Sequence, residues 1–227
     1  MTLVSIKNGI ENNSNFIKIG LSDGSSFHIK DHYWNYFYKI SCSENSHESV
    51  PAWNEFASLE IGTEILPTEE EVFRFAASCY RAERTGMRLI ARAEQTRAGL
   101  TRKLLERGHE GSCVYAVLDW LIQADLVNDQ RYAERWLRSR LFRRSGRIYG
   151  PRRLSLALGN RGIDRDDLKK AFEITMDEET EFSLLRRFIL KEKSKNFPGN
   201  YSLRGRLRYE GFSSPVIERY FDEITEE

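Results

Sequence analysis

Several kinds of chemistry are missing from this chain. No stretch of about eighteen apolar residues occurs that would cross a membrane as a helix. The first thirty residues lack the charged start and apolar run of a secretory signal, so no membrane partner and no export are expected. The three cysteines (Cys42, Cys79, Cys113) are odd in number, widely spaced and outside any CxxC pattern. That excludes a disulfide framework and fits reduced thiols in a cytoplasmic protein, with Cys79 and Cys113 packed in a core. Four histidines (His28, His32, His47, His109) form no HExxH or HxH pair and have no cysteine at zinc spacing, so no metal site is expected. His28 and His32 straddle a predicted strand end and do not share a face. No GxxxxGK[ST] or GxGxxG loop exists to cradle a nucleotide, and no cofactor is expected. The acidic clusters Glu69–Glu71, Asp164–Asp167 and Asp177–Glu181 fall on predicted helix starts. Capping explains them better than metal-dependent nuclease chemistry. No nucleophile–base pair stands out, and the expectation is a protein that is not an enzyme.

Acid is also missing where the chain is most basic. Between Glu134 and Asp164 there is no carboxylate, and the segment holds nine arginines (135, 138, 140, 143, 144, 147, 152, 153 and 161). The net charge of +1 conceals this segregation. Residues 1–78 carry five basic and eleven acidic side chains, residues 79–161 eighteen and eight, and residues 162–227 twelve and fifteen. So many guanidinium groups repel one another unless an anion relieves them, and phosphate is the anion such runs most often meet. The bland alternative is a solvated helix face, but such faces usually interleave Glu with Lys or Arg. A nucleic acid or a phosphorylated partner is the expected ligand class.

The local pattern sharpens this. A helix is predicted from Asp129, read as its N-cap, with Tyr132, Ala133, Trp136, Leu137 and Leu141 at helical spacing. Arg131, Arg135 and Arg138 share the opposite face, and Arg140 falls inside the apolar arc, from which it must snorkel. Arg143–Tyr149 reads as a loop, and Gly150-Pro151 opens the next helix. Arg152 and Arg153 occupy its first turn, where the helix dipole disfavours cations and free backbone N–H groups attract anions. An external phosphate or carboxylate is expected there. Replacing both arginines by alanine is expected to weaken partner binding while leaving the melting temperature nearly unchanged.

The rest of the chain supplies the architecture. Leu3–Ile6, Phe16–Leu21 and Phe27–Ile29 read as strands, with a turn-rich stretch at Asn8–Asn15 and a hairpin signal at Asp23-Gly24. The aromatic cluster Tyr33, Trp34, Tyr36, Phe37, Tyr38 reads as a helix covering this sheet, a core role preferred to base stacking. Ser41–Pro51 reads as a polar linker, with a short helix at Trp53–Leu59. A long helix starts at Pro67, with Thr68 as cap and Glu71 completing a capping box. Leu100-x3-Leu104-x3-Gly108 then recurs as Leu154-x3-Leu158-x3-Gly162 and Leu203-x3-Leu207-x3-Gly211. Each copy is preceded by a helix and followed by a polar cap (Glu110, Asp164, Ser213), a three-helix unit repeated in tandem. The expected fold class is mainly α, with tandem three-helix repeats forming an elongated curved body behind a small N-terminal β-hairpin region. Its expected divisions are a leader at 1–66 and repeats at 67–127, 128–176 and 177–227.

On this frame residues 80–221 resemble the RecX family, bacterial regulators of the recombinase RecA. The resemblance lies in Thr96–Gly108 (TRAGLTRKLLERG), Asp125–Ala133 (DLVNDQRYA), Gly150-Pro-Arg-Arg-Leu with Arg161-Gly-Ile163, and Arg206–Phe212 (RLRYEGF). Residues 31–60 depart from it, being longer and more aromatic than the family's leader. The resemblance implies a modulator that binds in the groove of the RecA–DNA filament and suppresses ATPase, strand exchange and coprotease activity. By carry-over, Arg138, Arg140, Arg143, Arg144, Arg147, Arg152 and Arg153 would face filament DNA or acidic RecA surface, with Arg102, Lys103 and Arg107 extending that face. The implied partners are the RecA filament and single-stranded or double-stranded DNA, met by a monomer. The competing reading is a helical DNA-binding regulator that acts without RecA.

Overall fold

The computed structural model describes residues 1–11, 14–43, 60–143, 146–193 and 203–226. The expected helix at 53–59, the linker beyond residue 43, Arg144 and the side chains of Tyr38 and Cys42 lie outside that description. The described chain is mainly helical, with one small antiparallel sheet, and divides into two compact units: residues 1–94 with 100–127, and residues 95–99 with 128–227.

In the first unit, β1 (Leu3–Glu11), β2 (Ser14–Leu21) and β3 (Ser26–Lys30) form a meander in the order β1-β2-β3. Period-2 alternation sends Ile17, Ile19 and Leu21 to the buried face with Leu3 and Ile29. The turn after β2 closes through Gly24 in the left-handed region (φ +86°), and the Asp23 carboxylate accepts the Ser25 N–H at 2.9 Å. β1 runs past Ile6, because Asn8–Glu11 stay in register with Ser14–Ile17; the stretch read as turn-rich is mostly strand. Helix α1 (Asp31–Ser43) covers the sheet and reaches into the stretch expected to be linker. Tyr33 and Trp34 are fully buried, and the Trp34 ring lies 5.8 Å from Phe73, so this part of the aromatic cluster is core.

Helix α2 (Pro67–Arg92) lays Val72, Phe73, Ala76, Cys79 and Ala82 into the same core. Its start differs from expectation. With proline at the first helical position the N-cap is Leu66, two residues before Thr68, and Glu69, not Glu71, accepts the Leu66 N–H at 2.9 Å. Two residues further into this unit are charged yet sealed: Lys30 Nζ donates to Glu83 Oε1 at 2.7 Å, and the Tyr33 hydroxyl donates to Glu83 Oε2 at 3.1 Å. Helices α3 (Arg97–Leu105, of which residues 97–99 count with the second unit) and α4 (Gly111–Gln123) follow, with Leu100, Leu104, Val114 and Leu121 buried. Cys79 and Cys113 are free, buried thiols of this core.

The second unit holds α5 (Asp129–Leu141), α6 (Pro151–Gly159), α7 (Arg165–Thr175), α8 (Glu178–Lys193), α9 (Leu203–Tyr209) and α10 (Ser214–Glu226). Its core gathers Ala133, Leu137, Leu154, Leu158, Ile163, Leu185, Leu207 and Ile217. Asn128, not Asp129, caps α5 by accepting the Arg131 N–H at 2.9 Å, because the Asp129 carboxylate is taken by the Arg97 N–H at 2.7 Å. The three repeat glycines all sit at positive φ, +79° at Gly108, +81° at Gly162 and +93° at Gly211, which ends each preceding helix in the left-handed conformation. Of the three polar caps, Asp164 accepts the Asp167 N–H at 2.9 Å. Glu110 makes no such bond, and the Ser213 hydroxyl instead donates to Glu181 Oε2 at 3.0 Å.

Candidate nucleic-acid interface

The Arg-rich segment begins on α5. Ala133, Leu137 and Leu141 anchor that helix in the core, which leaves Arg135, Arg138 and Arg140 on the surface. Among the described residues Arg138 is answered only at long range by Glu134, at 4.0 Å. Arg140 snorkels as its position demands: its guanidinium lies 5.0 Å from the Trp136 ring centre, and Arg161 lies 4.9 Å from the same ring. The loop beyond Leu141 is held by cations of α8. Arg187 donates to the carbonyl oxygens of Leu141 and Arg143, and Lys191 to that of Gly146. Loop carbonyls thus engage cations from below, while the Arg143 side chain stays exposed.

The start of α6 is not open as expected. Gly150 N–H donates to the Glu210 carbonyl at 2.8 Å, and Arg152 N–H to the Gly211 carbonyl at 3.1 Å. The two backbones are so close that a Cβ on Gly150 would sit 2.3 Å from the Gly211 carbonyl carbon; only glycine fits. Across this seam, the Glu210 carboxylate accepts Arg147 Nη2 on one oxygen and Arg153 Nη1 on the other, both at 3.0 Å. Glu210 is 1% exposed at its side chain, against 58% for Arg147 and 27% for Arg153. Arg153 also stacks on Tyr209, 4.4 Å from the ring centre, and approaches Tyr149 at 5.6 Å.

Two corrections follow for this helix start. One backbone N–H of the first turn is already occupied by Gly211, and Arg153 has an internal carboxylate. Removing Arg153 strips one of two partners from a buried anion, so a lowered melting temperature, in place of an unchanged one, is now expected for that residue. Arg152 is different. It is exposed, makes no ion pair among the described residues, and borders a groove of ≈ 380 Å³ with Ser155, Arg165 and Lys169 over an apolar floor of Leu168 and Phe172.

Of the remaining candidates, Arg102, Lys103 and Arg107 belong to the first unit, separate from the seven on the α5–α6 segment. Arg102 is exposed and pairs loosely with Glu106 at 3.7 Å, and Lys103 is half-buried. Arg107 Nη1 donates to the Lys103 carbonyl at 2.7 Å. Sequence reading overlooked Arg165 and Lys169 beside Arg152, and Arg88 and Arg92 beside Arg107. The helical spacing of Arg81, Arg84, Arg88 and Arg92 was the available signal for the latter. The histidines of this unit's core have packing roles: His28 stacks on Tyr80 at 5.4 Å and His32 on Trp120 at 4.8 Å. Among the described residues no cluster of three potential ligands could hold a metal ion, and no helix is long and apolar enough to cross a membrane.

No family model matches the chain. Known relatives do. The regulatory protein RecX of Treponema pallidum is 32% identical over 155 residues, covering 67% of this chain and 92% of the relative. RecX of Pseudomonas fluorescens is 36% identical over 141 residues, covering 60% and 86%. A crystal structure of regulatory protein RecX superposes with a TM-score of 0.67 at 20% identity over 97% of this chain and 98% of that one. The RecX structure from Lactobacillus salivarius gives 0.58 at 20% identity over 66% and 98%. The last two likenesses concern the fold; the first, over nearly the whole relative, concerns descent. The chain belongs to the RecX family of regulatory proteins.

Proposed function

We propose that the protein is a negative modulator of the RecA recombinase. It binds in the groove of the RecA–DNA filament through an arginine face and suppresses filament growth, ATPase and strand exchange. The observation that carries this reading is the exposed set Arg138, Arg140, Arg143 and Arg152, in a chain of the RecX family. Among the described residues these four meet one carboxylate, Glu134, and only at 4.0 Å. Arg147 and Arg153 each spend one N–H contact on Glu210. A guanidinium carries five N–H donors, so both retain capacity for a phosphate or a RecA carboxylate. Arg144 lies in the same loop in sequence, and Arg102, Lys103 and Arg107 extend the basic character into the first unit. The protein acts as a monomer, without metal, cofactor or catalysis of its own, in the cytoplasm where RecA works.

The test is RecA ATPase on single-stranded DNA, with RecA from the same organism and this protein titrated below one molecule per RecA. A falling rate at such ratios is the expected result, because blocking growth at filament ends needs few molecules. An unchanged rate, from protein that still binds naked DNA, would replace this reading by that of a plain DNA-binding regulator.

A further inference from the structure

A second basic site lies on the first unit. Along α2, Arg81, Thr85, Arg88 and Arg92 recur at helical spacing and share one flank. Gly108 reverses the chain after α3 at φ +79°, and the residues on either side of it, Arg107 and His109, come against that flank. With Leu89 they line a pocket of ≈ 310 Å³. Among the described residues the arginine donors here meet neutral acceptors. Arg88 Nε donates to the Arg84 carbonyl at 3.3 Å and its Nη2 to the Thr85 hydroxyl at 3.2 Å, while Arg81 donates to the Ser78 hydroxyl at 2.9 Å. Arg107 donates to the Lys103 carbonyl. No ion pair of the described residues includes Arg81, Arg88, Arg92 or Arg107.

The negative end of the α2 dipole accounts for Arg88 and Arg92 in its last turns. It does not account for Arg107 and His109, which another element brings to the same place. The charged groups facing His109 are Arg81 and Arg88 of α2 and Arg107 of the turn. Burial first, and then these cations, hold its imidazole below the usual histidine value. Guanidinium groups and an imidazole that repel one another when charged, with a neutral hydroxyl donor beside them, are stabilised by a compact anion.

We propose that this pocket binds a phosphate group, held by Arg88, Arg92 and Arg107, with the Thr85 hydroxyl and the His109 imidazole as further donors. The site belongs to the protein alone and does not depend on the filament reading. The experiment is an NMR titration of the histidine side chains of the full chain. Inorganic phosphate is added at constant ionic strength, and, separately, an oligothymidylate lacking terminal phosphates. Phosphate is expected to raise the apparent pKa of His109 by about one unit, the effect of an opposite charge within ~4–6 Å, while the other three histidines keep theirs. Arg88→Ala/Arg92→Ala is expected to need at least tenfold more phosphate for the same rise. Arg107→Ala, which leaves α2 intact, gives an independent check of the same weakening. A rise with both ligands means that backbone phosphate enters the pocket; a rise with inorganic phosphate alone means a site for free or terminal phosphate, and either upholds the proposal. No rise with either ligand, or a rise that survives in all the variants, overturns it.

Discussion

Two buried glutamates divide the labour of this molecule differently. Glu83, in the first unit, meets Lys30, whose side chain is fully buried. The ammonium lies 5.7 Å from the Tyr80 ring centre and 5.5 Å from that of Trp120, so both charges are enclosed. Nothing of this pair is left for a partner. Glu210, in the second unit, is buried to the same degree, but its two cations reach solvent, Arg147 for more than half of its side chain and Arg153 for about a quarter. One carboxylate there orients two guanidinium groups, each with donors to spare, and leaves the pair of arginines with a net positive charge. A sealed ion pair joins elements; a half-sealed one can also display charge outward.

The contrast sets the order of expected losses. Glu83→Ala leaves Lys30 buried without its anion and should cost about 3–5 kcal/mol, measured by urea unfolding. A loss below about 1 kcal/mol would mean that the ammonium finds water, and that the pair is not sealed. Glu210→Ala should cost less, about 1–3 kcal/mol, because the freed guanidinium groups rehydrate in place. Filament binding should not weaken in that variant, since no positive charge is removed.

Protonation sharpens the same comparison. Burial raises the Glu83 pKa, but His32 and Lys30 pull it further down, so the carboxyl ends below its usual 4.5. A depressed folded-state pKa contributes stability that is complete above the unfolded value and drains away as pH falls through the folded one. Acid unfolding should therefore steepen below about pH 4.5, and Glu83→Gln should remove that component. Smaller again is the difference between neighbours on α6. Arg153→Ala should lower the melting temperature measurably, whereas Arg152→Ala should leave it unchanged and weaken binding. If phosphates are the targets, every arginine taken away from a phosphate should flatten the log–log salt dependence of binding by about 0.7–0.9.

What could be read from sequence follows the range of the interactions. The strands around Asp23-Gly24, the aromatic cover at Tyr33-Trp34 and the glycine-terminated helices are local patterns, and each was legible. So was the snorkelling of Arg140, whose stacking partner Trp136 lies one turn away. Glu210 was not, because its role is set by Arg147 and Arg153, 63 and 57 residues distant. Lys30 and Glu83 are 53 residues apart, and neither looks unusual in its own segment. The cap of α5 was misread for the same reason. Asn128 and Asp129 are both good caps, and the choice is made by the Arg97 N–H, 32 residues from Asp129. Within the arginine run, sequence counted charges correctly but could not separate those the fold uses from those it leaves exposed.

That separation is the central claim, and one comparison tests it most directly. RecA ATPase on single-stranded DNA should be titrated with wild-type protein, with Arg140→Ala/Arg143→Ala/Arg152→Ala and with Glu210→Ala. The triple variant should keep its melting temperature and need at least tenfold more protein for the same inhibition, a difference of about 1.4 kcal/mol in binding. Glu210→Ala should melt lower yet inhibit as wild type does. A triple variant that inhibits like wild type would contradict the account, because the exposed arginines would then not be what the filament meets.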